Sequence, residues 1–219
     1  MGVNGIWKGL GVSKTKISNY KHPSEDILYA IDSPMIFRII WYWKQFGNRV
    51  FKACNFSELA KEFADSMSRY MEDLLPDAKN LYWTFEGSVP EKAKKRNHNS
   101  AKKLAKTFNK AINMELRSTK HGHEGIAKGM LNRAFFPPSK FTKEVMYHLR
   151  ELNKGTVLQA AGESDYAISG ICNRWKTIVV SSDSDFLVFS KCVALINPTY
   201  RQVTDKGYIQ FNSYSILKH

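Results

Sequence analysis

Five short runs of uninterrupted apolar residues constrain what this chain can become: "ILYAI" (27–31), "LYWTF" (81–85), "TVLQA" (156–160), "TIVVS" (177–181) and "VALIN" (193–197). A strand with one wet face alternates apolar and polar residues. A continuous run suits a strand covered on both faces, as in a parallel sheet. Helical spacing lies between the runs. "SELAKEFADSMSRYMEDLL" sets Leu59, Phe63, Met67, Met71 and Leu74 about one turn apart, with Ser57 as the expected N-cap. "KFTKEVMYHLREL" does the same with Phe141, Val145, Leu149 and Leu152. Strands alternating with helices mean βαβ units, so the expected fold class is α/β with a central, mainly parallel sheet flanked by helices. At 219 residues the chain is long enough for one sizeable domain of this kind.

The acidic residues gather at the ends of these runs. Asp32 follows the first, Glu86 the second, Glu163 and Asp165 the third, and Asp183 and Asp185 the fourth. In a parallel sheet those ends share one edge, the edge outside which ligands bind. Any one of these acids could simply start a helix, where a carboxylate contributes about 0.5–2 kcal/mol. Six like charges converging on one edge repel one another unless cations neutralise them. An open set of hard oxygen donors suits Mg²⁺ or Mn²⁺.

The charge balance points to the partner. Lys and Arg number 33 against 20 Asp and Glu, a net charge of +13. Such an excess favours a polyanion, most often nucleic acid. It is unevenly spread: from Lys92 to Lys120 ten basic residues face only Glu115. Within that stretch Leu104, Phe108 and Ile112 share one helical face, and Lys102, Lys106 and Lys110 another. "HGHEGIAKGMLNRAFFPPSK" (121–140) reads as a loop, and its His121 and His123 as incidental. An acidic metal cluster with a basic helix describes an enzyme for phosphodiester bonds.

Other classes are disfavoured. Cys54, Cys172 and Cys192 stand far apart, which suits neither a disulfide framework nor a cysteine zinc site. No run approaches the ~20 apolar residues of a membrane span. The start lacks a signal-peptide layout, and "MGVNGI" has Ile6 where a myristoylation signal needs Ser or Thr. The expectation is an intracellular protein of nucleus or cytoplasm, with no membrane partner. Tyr42, Trp43 and Trp7 are aromatics that could stack on bases, although most such residues belong to cores.

Five motifs in order resemble the nuclease core of the flap endonuclease/XPG superfamily of 5′ nucleases. "MGVNGIWKGL" resembles the family's opening Met-Gly-(Ile/Val)-x-Gly-(Leu/Ile), "AIDSPMIF" its first-strand Asp segment, and "WTFEGSVPEKAKKR" its F-D-G-x-x-P-x-x-K segment. "AAGESDYAIS" is similar to A-P-x-E-A-E-A and "SSDSDFLVF" to S-E-D-S-D-x-L-x-F. The resemblance implies a PIN-like three-layer fold over 1–219, with 88–140 as a basic helical arch. It implies Asp32, Glu86, Glu163, Asp165, Asp183 and Asp185 as ligands of two Mg²⁺ or Mn²⁺ ions, and Lys92 and Arg96, in a register shared with Lys94 and Lys95, at the scissile phosphate. Gly2, Lys94, Lys95, Lys102, Lys103, Lys106 and Lys110 fall to nucleic-acid binding. Glu86 and Asp165 exchange Asp for Glu and the reverse, keeping charge and changing reach. The family's further Asp, in a Gly-x-Asp-Tyr segment, and its helix-two-turn-helix have no counterpart before the final "FNSYSILKH".

The expected activity is metal-dependent hydrolysis of DNA at or near 5′ ends, flaps or junctions. Asp183, Asp185 and Glu163 or Asp165 would hold one metal, with Asp32 and Glu86 acting largely through waters. "EGSVPEKAKKR" and "GESDYAI" also look somewhat like segments of 5′→3′ exoribonucleases, so an RNA-directed nuclease is the alternative. A PIN-like binding scaffold that does not cut is the third reading, and the retention of all six acids favours an enzyme.

Overall fold

The computed structural model describes residues 27–52, 55–76, 78–87, 102–103, 105–114, 129, 137, 139–183, 185–186, 189, 192–196 and 198. To these it adds the backbone of strands at 13–15, 200–203, 209–211 and 216–218. The chain forms two compact bodies, residues 1–36, 71–88 and 153–219 in the first and 37–70 and 89–152 in the second.

The first body is built on a seven-stranded sheet of β1 (Ser13–Thr15), β2 (Leu28–Asp32), β3 (Leu81–Phe85), β4 (Thr156–Gln159), β5 (Thr177–Val180), β6 (Cys192–Ile196) and β9 (Ile216–Lys218). Its order is β1-β9-β6-β5-β2-β3-β4, and β7 (Tyr200–Val203) pairs with β8 (Ile209–Phe211) in a separate ribbon. The five strands β6-β5-β2-β3-β4 are parallel throughout. The fold class is therefore mixed α/β with an all-parallel centre, as the apolar runs require. β9 alone runs against them, pairing antiparallel with β6 on one side and with β1 on the other.

Each expected run is a strand, with small shifts. The first is displaced by one residue, so Asp32 ends β2 rather than following it. All of β5 is buried, as is nearly all of β2 and β3. β4 differs: as the outer strand of the sheet it exposes Thr156 and Gln159. Helix α6 (Ser164–Arg174) lies against β2, β3 and β5. Its Ile168, Ile171 and Cys172 form one core with Ala30, Val179, Leu195, Cys192 and Phe186. Burying each large apolar side chain there contributes about 1.5–3 kcal/mol. Cys172 and Cys192 are free thiols inside that core.

Chain direction through this sheet creates the site. β2 lies at the centre; β3 and β4 are added on one side, and the chain then crosses back to lay β5 and β6 on the other. Successive connections thus diverge between β2 and β5, which leaves a crevice at their carboxyl ends.

The second body holds most of α1 (Ser33–Trp43) and α3 (Phe56–Leu74), together with α2 (Phe46–Lys52), α4 (105–114) and α5 (Ser139–Glu151). Its centre is aromatic: Phe63 meets Phe37 at 4.3 Å, Phe46 at 4.7 Å and Phe141 at 5.7 Å between ring centroids. Phe63 and Met67 of α3 are fully buried, as are Met71 and Leu74 in its first-body end, while Leu59 is only partly covered. The expected cap is corrected. Asn55, not Ser57, caps α3, its Oδ1 accepting the Ser57 N–H at 3.0 Å, and the Ser57 hydroxyl donates to Glu144 at 3.1 Å. On α5, Phe141, Val145 and Leu149 are buried as expected, with Met146 added. On α4, Lys106 and Lys110 are exposed, as are the helical Lys102 and Lys103, and Phe108 and Ile112 are partly covered.

The rest of the 88–140 stretch lies mainly outside the described residues, as do Trp7 and Leu104. No helix of the described residues is long and apolar enough to cross a membrane.

Candidate metal centre at the sheet edge

Asp32, at the end of β2, is only 9% exposed. A buried carboxylate needs donors, and the Ser181 hydroxyl supplies one to Asp32 Oδ2 at 2.7 Å. Ser181 follows β5, is fully buried, and is anchored by its own N–H to the Ile196 carbonyl at 3.0 Å. The same hydroxyl oxygen accepts the Asp183 N–H at 3.1 Å. Asp183 Oδ1 in turn accepts the Asp185 N–H at 3.0 Å. Buried Phe186 pins this turn into the core. A chain of hydrogen bonds thus spans the crevice between β2 and β5. Asp183 caps its turn with one oxygen, so local capping and a role at the crevice are compatible.

The other half is assembled from two loops. Glu86 follows β3 and is exposed, and its carbonyl accepts from Gln159 Nε2 at 3.4 Å. The Ala160 N–H donates to the Phe85 carbonyl at 2.9 Å and the Gly87 N–H to the Gly162 carbonyl at 2.7 Å. Loop meets loop so closely that a Cβ on Gly87 would stand 1.8 Å from the Ala160 oxygen. Gly87→Ala is therefore expected to destabilise by about 1–3 kcal/mol or more, read as a shifted midpoint in urea unfolding. Glu163 then occupies the N-cap of α6 in an extended conformation, yet its side chain makes no capping bond. Asp165 sits in the first turn.

Electrostatics tie these acids together. The Asp165 carboxyl is pushed up to about 6, first by burial and then by the charges of Asp32, Asp183 and Glu163. Between its ordinary 3.8 and about 6 the folded chain holds a proton that the unfolded chain releases. Stability therefore falls as pH rises through that window, and the penalty is complete above it. Without divalent cations, Asp165→Asn should melt higher than wild type at pH 8, with the gap closing towards pH 4. Thermal melts in EDTA across that range measure it.

The charges of Asp32, Glu163 and Asp183 thus all act on Asp165, and Asp185 is tied to Asp183 through its backbone N–H. Glu86 stands at the neighbouring strand end. Lys102, Lys103, Lys106 and Lys110 are exposed residues of the second body. Lys92, Lys94, Lys95, Arg96 and Gly2 lie outside the described residues. Sequence reasoning missed Ser181 and Gly87. The signal for Ser181 was its place two residues before Asp183, where a hydroxyl takes a backbone N–H in a turn.

The donor set fits a hard divalent cation, since every candidate ligand is a carboxylate and their mutual repulsion is what a cation relieves. Among the described residues no group of three or more His, Cys, Asp or Glu is placed so as to hold a metal ion. Mg²⁺ does not require such a group, because it keeps several waters and uses one or two carboxylates.

No protein-family profile matches the chain, and no curated protein sequence does. Among solved structures, human GEN1 in complex with Holliday junction DNA is similar over 99% of this chain, at 14% identity and a TM-score of 0.43. This chain covers 43% of that one, less than half its length. At such a score the likeness by itself establishes neither fold nor activity.

Proposed function

We propose that this chain is a divalent-metal-dependent nuclease that hydrolyses phosphodiester bonds of DNA at or near 5′ ends, flaps or junctions. One observation carries the reading: Ser181 joins buried Asp32 to Asp183 across the point where the strand order diverges, with Glu163 and Asp165 in the same field. Nothing in a sheet's stability calls for such a concentration of negative charge. The ordered sequence motifs supply the preference for 5′ ends and for DNA.

In this reading Asp183, Asp185, Glu163 and Asp165 bind Mg²⁺ or Mn²⁺, with Asp32 and Glu86 holding its waters. When bound there, such a cation would activate water near neutral pH and offset the negative charge of phosphodiester hydrolysis. Ser181 orients Asp32 and fixes the Asp183 backbone, so two carboxylates from different strands keep one spacing. Glu163 needs no rearrangement to reach outward, since it is not engaged in capping. Lys92 and Arg96 are assigned to the scissile phosphate, where fixed cations stabilise developing charge.

The test is cleavage of end-labelled 5′-flap, nicked, blunt and single-stranded DNA and single-stranded RNA, with Mg²⁺, Mn²⁺ or EDTA. Metal-dependent products from the flap support the proposal. Products from RNA alone transfer it to the RNA-directed alternative. A folded chain that cuts nothing with either metal contradicts it.

A further inference from the structure

The two bodies divide the charge unequally. The second, residues 37–70 and 89–152, carries 21 Lys and Arg against 8 Asp and Glu, while the first carries 12 of each. The whole net charge of +13 therefore lies in the second body. Within it, α5 buries Phe141, Val145, Met146 and Leu149. On its far side Lys140, Lys143, Tyr147 and Arg150 fall within about 80° of one another, at 100° per residue. All four are exposed, Tyr147 by 55%. The order along the axis is cation, cation, ring, cation. Among the described residues none of the three cations is held in an ion pair. The acids of the helix lie on the flank of this stripe. Glu144 is partly covered and accepts the Ser57 hydroxyl at 3.1 Å, and Glu151 closes the helix.

We propose that this face of α5 is a binding stripe for single-stranded nucleic acid. One base stacks on Tyr147, Lys143 and Arg150 hold the phosphates on either side, and Lys140 extends the grip. The proposal concerns how a strand is held, and so goes beyond the nuclease reading, which concerns where a strand is cut. Cations alone would hold any polyanion. The exposed ring among them is what selects an unpaired strand, because every base has a face to stack and a duplex hides it. Tyr147 leans towards the helix N-terminus, over the turn that carries Lys143. The His148 ring meets it at 5.3 Å with 73° between the planes, which restrains the tyrosine and still leaves it more than half exposed. Lys140 and Arg150 stand about 15 Å apart along the axis, enough for a base and its flanking phosphates. Three unpaired cations around an uncovered ring complement a chain that alternates phosphates with rings.

The test is binding of labelled oligothymidylate and oligouridylate to the full chain in EDTA, followed by fluorescence anisotropy, with a labelled duplex alongside. Tyr147→Ala is expected to weaken single-strand binding about fivefold or more, while Tyr147→Phe, which keeps the ring, stays within about twofold of wild type. Lys143→Gln and Arg150→Gln should each weaken binding and lower the slope of log affinity against log salt by about 0.7. Lys176→Gln, which removes an exposed cation of the first body, is the control for charge alone. The substituted side chains are exposed, and unaltered melting temperatures confine the comparison to the surface. Wild-type affinity in Tyr147→Ala, or equal losses in Lys143→Gln and Lys176→Gln, overturns the stripe. Equal losses in Tyr147→Ala and Tyr147→Phe overturn the stacked base. A Tyr147→Ala loss as large for duplex as for single strands overturns the assignment to an unpaired strand. The expected losses in a chain that cuts nothing with either metal leave the stripe standing and contradict the nuclease reading alone.

Discussion

Asp183→Asn is expected to reduce metal-dependent cleavage at least about a hundredfold while leaving the fold intact. The choice of asparagine matters. Asp183 Oδ1 accepts the Asp185 N–H at 3.0 Å, and an amide oxygen preserves that bond and the turn it closes. What disappears is one negative charge from the cluster around Asp165. Residues that merely orient metal ligands cost about 10–100-fold in affinity or activity when lost, so a direct carboxylate ligand should cost at least the upper end of that range. Losing a like charge also relieves repulsion, so the variant should melt no lower than wild type in EDTA. Cleavage rates at saturating Mg²⁺, with melting curves alongside, measure both. A variant that still cuts within about threefold of wild type, against the loss expected of a ligand, removes Asp183 from the metal set.

Ser181→Ala should damage stability and activity together. The hydroxyl gives a hydrogen bond to a buried carboxylate and receives one from the Asp183 N–H. A hydrogen bond to a charged group contributes about 1.5–3 kcal/mol, and a buried donor left unpaired adds to the loss. A destabilisation of about 2–3 kcal/mol is expected, read from urea unfolding at neutral pH. Cleavage should drop about 10–100-fold, the range for a group that positions ligands without touching the cation. Stability lost with activity kept would make Ser181 a structural residue only.

Much of this was legible in the sequence, and the reasons are local. "LYWTF" became β3 without a shift, because a strand buried on both faces announces itself in its own residues. "TVLQA" also became a strand, but its exposure as the outermost one depends on neighbours that its residues do not name. β9, three residues paired antiparallel with β6 and β1, was invisible, since such pairing leaves no periodicity in so short a segment. Asn55 and Ser57 compete for one cap, and composition alone does not say which side chain reaches the N–H. The acids were legible as a group because a parallel sheet sends all its carboxyl ends to one edge. Ser181 was not, because a serine before an acid can bond a backbone, a carboxylate or water, and only the register of β5 against β2 decides.

The central claim is that the sheet edge is a metal centre, and Mn²⁺ binding followed by electron paramagnetic resonance tests it without any substrate. Titrating wild type and Asp183→Asn at pH 7.5 should show saturable binding in the first and at least about tenfold weaker binding in the second. Equal binding in both, or none in either, would contradict it.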